Sequence, residues 1–194
     1  MTAGRGLRHS ARAGAELKEP SPQHGIQSRL APPDEEEECE AAFHHYPAED
    51  LPGLDMDGVS VRVIIGEAFG HTSPVHAYSS TLYLECVMPK GSELTLPDGY
   101  DEIAAYVVSG GIAIDGQSFG EGVMAVASAG AAMTLTAEAE SRVMVIGGEP
   151  LGERHIFWNF VSSSKARIEQ AKSDWRERKF GEIPGETEFI PLPD

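Results

Sequence analysis

Seven histidines, two cysteines and one dense run of acids are the residues here whose types could do chemistry. His71 and His76 stand five apart in Gly70-His-Thr-Ser-Pro-Val-His76, a loop-like stretch. Two imidazoles fall short of the three or four protein ligands a transition metal takes, so surface histidines are expected. His44 and His45 are adjacent, and on an extended backbone their side chains point apart. His155 precedes an aromatic run and is expected to pack or cap. Cys39 and Cys86 lie 47 positions apart with no Cys-x-x-Cys partner. That spacing gives neither a zinc knuckle nor a disulfide framework. Cys86 sits in a strand-like run and reads as a buried small hydrophobe. Ser162-Ser-Ser164 lack an elbow turn and a partnered histidine, and they suit the cap of a helix. Gly120-Glu-Gly-Val-Met-Ala125 has a dinucleotide-like glycine spacing, but strands rather than a helix follow it. Types and spacing alone assemble no catalytic constellation.

The elements that position these residues are mostly strands. Between Gly99 and Gly148, short runs rich in Val, Ile and Tyr are cut by Gly pairs and Asp-Gly, the residues that supply the positive φ of tight hairpins. Val59-Ser-Val-Arg-Val-Ile-Ile65 alternates, placing Val59, Val61, Val63 and Ile65 on one face. Gly66–Ser80 reads as a loop. Thr81–Met88 and Ser92–Leu96 are further strands, stopped by Pro89-Lys-Gly91 and Pro97-Asp-Gly99. Later strands are expected near Ile103–Val108, Ile112–Ile114, Val123–Ala127, Met133–Thr136 and Arg142–Ile146. About eight strands between residues 59 and 147 make an all-β jelly-roll barrel. One helix is expected from Ser164 to about Lys179. Its stripe is Ile168, Ala171 and Trp175, with Gly181 past its end. Phe189 and Ile190 of the tail are expected to dock on the barrel.

Residues 1 to about 42 carry too few apolar side chains for a core. Met1–Ala11 suggests a turn and a short strand, and His24-Gly-Ile-Gln-Ser-Arg-Leu30 one more. Asp34-Glu-Glu-Glu-Glu-Cys-Glu40 holds six acids in seven residues and reads as a solvated linker. The net charge of −16 over 194 residues argues against direct binding to nucleic acid or to an anionic membrane. The uncharged run Gly122–Ala137 spans 16 residues of mostly small side chains, short for a membrane span. No secretory signal is visible at Met1, so a cytoplasmic protein is expected.

Asp57-Gly-Val-Ser-Val-Arg-Val-Ile-Ile-Gly-Glu-Ala-Phe-Gly70, Ser79-Ser-Thr-Leu-Tyr-Leu84, Gly147-Gly-Glu-Pro-Leu151, Trp158-Asn-Phe-Val-Ser-Ser-Ser164 and Gly185-Glu-Thr-Glu-Phe-Ile-Pro-Leu-Pro193 closely resemble the C-terminal half of the pirin family, bacterial pirins especially. The likeness covers residues 43–194. Pirins are bicupins, two jelly-roll barrels in one chain. The resemblance implies a cupin here, with quercetin 2,3-dioxygenase activity in some members and a metal-containing transcription cofactor in animals. Their metal, usually iron, sits in the first cupin, held by a His-x-His pair, a later His and a Glu. Met1-Thr-Ala-Gly-Arg-Gly-Leu-Arg-His-Ser-Ala11 resembles the late first-cupin stretch, Met-Thr-Ala-Gly-Arg-Gly, two residues, then His-Ser-Glu.

That likeness sets the domain and site expectations. Residues 1–42 are a remnant of the first cupin plus an acidic linker, and 43–194 are the second cupin with its helix and tail. Met1 would stand where relatives have an internal methionine. His9 falls on the third ligand position, and Ala11 replaces the Glu. One of four ligands remains, so no metal cofactor is expected in this chain. Aligning Tyr106-Val-Val-Ser-Gly110 with the family's first-cupin Tyr-Val-Leu-Glu-Gly puts Leu96 and Asp98 at the histidine pair, Glu102 at an acidic position, and Leu135 near the third histidine. Leucines cannot coordinate metal. The expected function is a metal-free pirin remnant with a binding or regulatory role, or none. The alternatives are an iron-dependent dioxygenase acting on a small aromatic substrate, if the polypeptide extends upstream, and an interaction module engaging a protein partner, or a second copy, through its acidic surface.

Overall fold

The computed structural model describes residues 1–10, 25–128 and 130–193. They fall into two compact units, His45–Pro150, and Met1–His44 together with Leu151–Asp194.

In the His45–Pro150 unit, period-two alternation decides the strands. β1 (Gly53–Met56) is followed by β2 (Val59–Ile65), whose Val59, Val61 and Val63 are buried while Ser60 faces out. Two-residue strands β3 (Glu67–Ala68) and β4 (His71–Thr72) make a small hairpin inside the expected loop. β5 (Thr81–Met88) buries Leu82, Leu84, Cys86 and Met88 on one face. β6 (Glu93–Thr95), β7 (Glu102–Ser109), β8 (Gly111–Ile114), β9 (Gln117–Gly120), β10 (Met124–Val126), β11 (Thr134–Ala137) and β12 (Ser141–Gly148) complete the unit.

The strands form two antiparallel sheets, one of six strands in the order β1-β2-β5-β12-β7-β10 and one of four in the order β6-β11-β8-β9. Apolar faces of both sheets meet in a single core. The large sheet gives it Val61, Leu84, Val107, Val143 and Val145, and the small sheet gives it Leu94, Ile112 and Leu135. Each such side chain stabilises by about 1.5–3 kcal/mol on full burial. On the outer face of the large sheet, Glu85 takes Arg62 at 3.3 Å and Arg142 at 2.5 Å, tying β2, β5 and β12 across their polar side. The all-β jelly roll with a single C-terminal helix is therefore as the sequence predicts.

The second unit contains no strand in its described N-terminal residues. Thr2 and Ala42 exchange both backbone hydrogen bonds in an isolated bridge, and residues 25–30 stay outside any sheet. Among its described residues the one sheet is the hairpin β13 (His155–Phe157) and β14 (Phe160–Ser162). The hairpin turns on Trp158, whose φ of 51° is rare for so bulky a residue. α1 runs Lys165–Arg176, with Ser164 capping it through an N–H bond from Arg167, as expected of the serine run. It ends earlier than the predicted Lys179. Arg178 takes the left-handed conformation at φ 58°, and Arg178 and Lys179 donate back to the carbonyls of Trp175 and Asp174. This is a Schellman stop built on an arginine, so Gly181 is not the terminating residue.

Candidate functional site

Two of the positions that the pirin resemblance aligns with metal ligands are leucines in the barrel core. Leu96 is 5% exposed and Leu135 0%, both within the shared core. Asp98 and Glu102 are exposed instead of facing inward. Cys86 is buried in the same core, and burial, helped by the neighbouring Glu85 charge, pushes its thiol up to about 12. It is a packing residue and not a nucleophile.

His9 is exposed, and Ala11 lies outside the described residues. The paired histidines stay on the surface. His44 and His45 are exposed, His71 sits on β4, and His76 packs edge-on against Tyr78 at 4.8 Å. His155 opens β13, with its Nδ1 3.7 Å from Glu153. No three His, Cys, Asp or Glu side chains converge among the described residues. The iron that the pirin resemblance implies does not fit this donor set.

The acidic run, expected as a solvated linker, is pinned down. Asp34–Glu36 forms a turn of 3-10 helix, and the acids that follow reach basic and hydroxyl partners. Glu37 accepts from Ser162 Oγ at 2.9 Å, from Ser163 N at 2.7 Å and from Ser163 Oγ at 3.1 Å. The Arg154 side chain, 10% exposed, lies against Asp34 at 2.7 Å and Glu37 at 3.3 Å. Glu38 takes Arg167 of α1 at 2.6 Å, and Arg5 pairs with Glu40. Run and serines thus form one clamp that fixes the entry to α1. Sequence reasoning assigned the serines to capping and missed their acidic partner. The only signal was that Arg154 and Arg167 flank those serines in a base-poor chain.

Aromatic rings gather along α1 toward its C-terminal end. Trp175 packs edge-on against Trp158 at 5.0 Å and stacks on Phe189 at 5.5 Å, while Phe160 stacks on Phe180 at 5.8 Å. Trp175 Nε1 donates to the carbonyl of Ile190 at 2.8 Å, which lays the tail along the helix. Phe189, expected against the barrel, therefore docks on α1, and Ile190 is exposed. Between helix and tail lies a cleft of about 470 Å³, walled by Phe157, Lys172, Trp175, Arg176, Phe189 and Pro191 among others. At the end of α1, Gln170 and Lys179 hold the Asp174 carboxyl below its usual range, and Lys179 and Ser173 do the same to Glu177.

Comparison with known proteins meets this geometry. Residues 83–181 match the pirin C-terminal cupin domain. A pirin-like protein of Caulobacter vibrioides is 42% identical over all of this chain and 68% of its own length. A Pseudomonas aeruginosa protein named as a candidate quercetin 2,3-dioxygenase is 31% identical over 94% of this chain and 58% of its own. A crystal structure of quercetin 2,3-dioxygenase from Acinetobacter baumannii is 26% identical, with a TM-score of 0.77 over 85% of this chain and 56% of that one. The chain thus spans between about half and two thirds of the length of these relatives. The Caulobacter vibrioides match takes in barrel, helix and tail, and the chain belongs to the pirin family.

Proposed function

We propose that this chain works by binding rather than by catalysis, as a pirin-family barrel with no metal site of its own, in a regulatory role or as a relic. The observation that carries the reading is the hydrocarbon at the ligand positions, with Leu96 and Leu135 in the core and His9 exposed. A non-haem iron needs about three protein ligands on one face with open positions for substrate and oxygen. A protein partner, or a second copy, belongs to the same reading. Glu37 and Glu38 are engaged internally, so exposed acids such as Glu35 would carry that contact. Neither cysteine is in a disulfide, which suits a reducing compartment such as the cytoplasm. Among the described residues no helix is long and apolar enough to cross a membrane.

The test is iron loading. The 194-residue polypeptide is incubated anaerobically with Fe(II), desalted, assayed for metal, and then mixed with quercetin in air. Substoichiometric iron and no loss of quercetin absorbance are expected. Stoichiometric iron sinks the proposal.

A second reading has its own support in the likeness to the Acinetobacter baumannii quercetin 2,3-dioxygenase and in the partial span of the relatives. In it the native polypeptide extends upstream and supplies the missing ligands, leaving Ala11 where the pirin resemblance places a carboxylate. Intact mass from the native cell separates the two. A mass of 20.8 kDa favours binding, and one larger by most of a cupin favours the enzyme.

A further inference from the structure

We infer that β10 is the edge through which two copies of this chain join, by antiparallel pairing of β10 with itself. The two barrel sheets end in four edge strands, β1 and β10 on the large sheet and β6 and β9 on the small one. Native sheets commonly guard such edges against pairing with charge or proline. β1 carries Asp55, β6 carries Glu93, and β9 lies between Asp115 and Glu121. β10 has neither guard, and it lies inside the uncharged run Gly122–Ala137 of a chain whose net charge is −16.

The ladder decides which backbone groups are left over. The Val123 carbonyl accepts from the Val107 N–H at 3.0 Å, and the Ala127 N–H donates to the Ile103 carbonyl at 2.9 Å. Bonding toward β7 thus falls on every second residue, and antiparallel alternation turns the N–H and C=O of Met124 and Val126 outward. Among the described residues no strand lies beyond them. Their side chains are 48% and 69% exposed. They extend two rows on the outer face of the large sheet, Met124 beside Tyr106 and Met144, and Val126 beside Ala104 and Ile146. Unspent backbone bonds and an exposed apolar face coincide on one strand.

A second copy matches that edge in length, in apolar face and in the position of its free bonds. About a twofold axis at Ala125, Met124 of one copy faces Val126 of the other. Each such pair exchanges both backbone bonds, and the apolar rows run on across the junction. Charge favours the same contact. Two chains of net charge −16 repel wherever acids meet, and the uncharged edge is where that repulsion is weakest. The exposed acids suit a basic partner and not a copy of this chain.

The inference deepens the binding reading by naming a second copy as the partner. The two fail separately, because iron loading interrogates the interior of the barrel and oligomeric state its edge. Sedimentation equilibrium of the 194-residue protein should give a mass that rises from 20.8 kDa toward twice that value between about 1 µM and about 1 mM. Added salt should tighten the dimer, because it screens the repulsion between two acidic chains. Val126→Lys puts a charge on an exposed edge side chain, and Val126→Pro removes an outward N–H while sparing the bonds to β7. An isologous contact meets each substitution twice, so either should weaken the dimer at least about tenfold. Unchanged circular dichroism spectra check that both variants keep the barrel. Ile156→Lys, which charges an equally exposed apolar residue on β13, should leave the dimer intact. A mass of 20.8 kDa at every concentration overturns the inference and leaves the edge to a strand of another protein. Growth past two chains, a dimer that survives both Val126 variants, or one that Ile156→Lys also breaks would overturn it as well.

Discussion

Neutralising one acid of the Asp34–Glu40 run should destabilise the protein, although bulk electrostatics predicts the opposite. At a net charge of −16, removal of any carboxylate reduces self-repulsion and favours the folded state. Glu37 is the exception because its oxygens are structural. The side chain, 13% exposed, accepts three bonds from Ser162 and Ser163 and lies against Arg154. In Glu37→Ala the Ser163 N–H loses its acceptor, and Arg154 keeps Asp34 as its one charged partner beside the carbonyls of Pro32, Leu151 and Glu153. One lost bond to a charged acceptor and one orphaned donor together cost about 3 kcal/mol. For a unit of this size that is on the order of 10–20 °C in Tm. Glu37→Gln keeps one acceptor oxygen and should lose about half as much. Glu35→Ala, which removes an exposed charge, should stay within about 0.5 kcal/mol of wild type. Both tryptophans, Trp158 and Trp175, lie in the unit that contains the clamp, so urea unfolding followed by tryptophan fluorescence reports that unit alone. Equal shifts for Glu35→Ala and Glu37→Ala would refute the clamp and restore the solvated linker.

Two further outcomes concern the barrel. Its thiol titrates near 9 when unfolded and is pushed up to about 12 by burial, so Cys86 should not react with a thiol reagent at pH 8 in the native state. One thiol, Cys39, should label natively and two in urea, and rapid native labelling of both would contradict the packed core. The same shift has a stability consequence of defined sign. Above pH 9 the unfolded chain releases the proton while the folded barrel keeps it, so this contribution is complete below pH 9 and lost as pH rises toward 12. At the β7–β8 turn, Gly110 has φ 81°, and an added Cβ would lie 2.3 Å from the Glu140 carbonyl oxygen. Gly110→Ala should therefore cost at least about 2 kcal/mol in urea midpoints followed by circular dichroism. Gly116→Ala, at φ 79° but facing open space, should cost only about 1 kcal/mol. Equal losses would mean that close approach contributes nothing.

Much of the barrel was legible because its strands bury one face each. In β2 and β5, Val and Leu alternate with polar residues at the spacing the pleat demands, and the glycine-punctuated runs mark β7, β8 and β12. β1 and β9 were not legible, because Gly53–Met56 and Gln117–Gly120 contribute few buried apolar side chains and are strands only through their partners. The β13–β14 hairpin escaped for another reason. Its turn sets Trp158 at positive φ, where local rules expect Gly or Asn.

Sequence alone determined the barrel, because period-two burial is a local property, and the family, because its motifs are runs of adjacent residues. Only the tertiary structure decided what the acids and the tail do. Glu37 meets Ser163 across 126 positions, and Phe189 reaches Trp175 through a turn no periodicity encodes. Pairings between distant segments have no local pattern, so the clamp and the cleft exist only once the chain has folded.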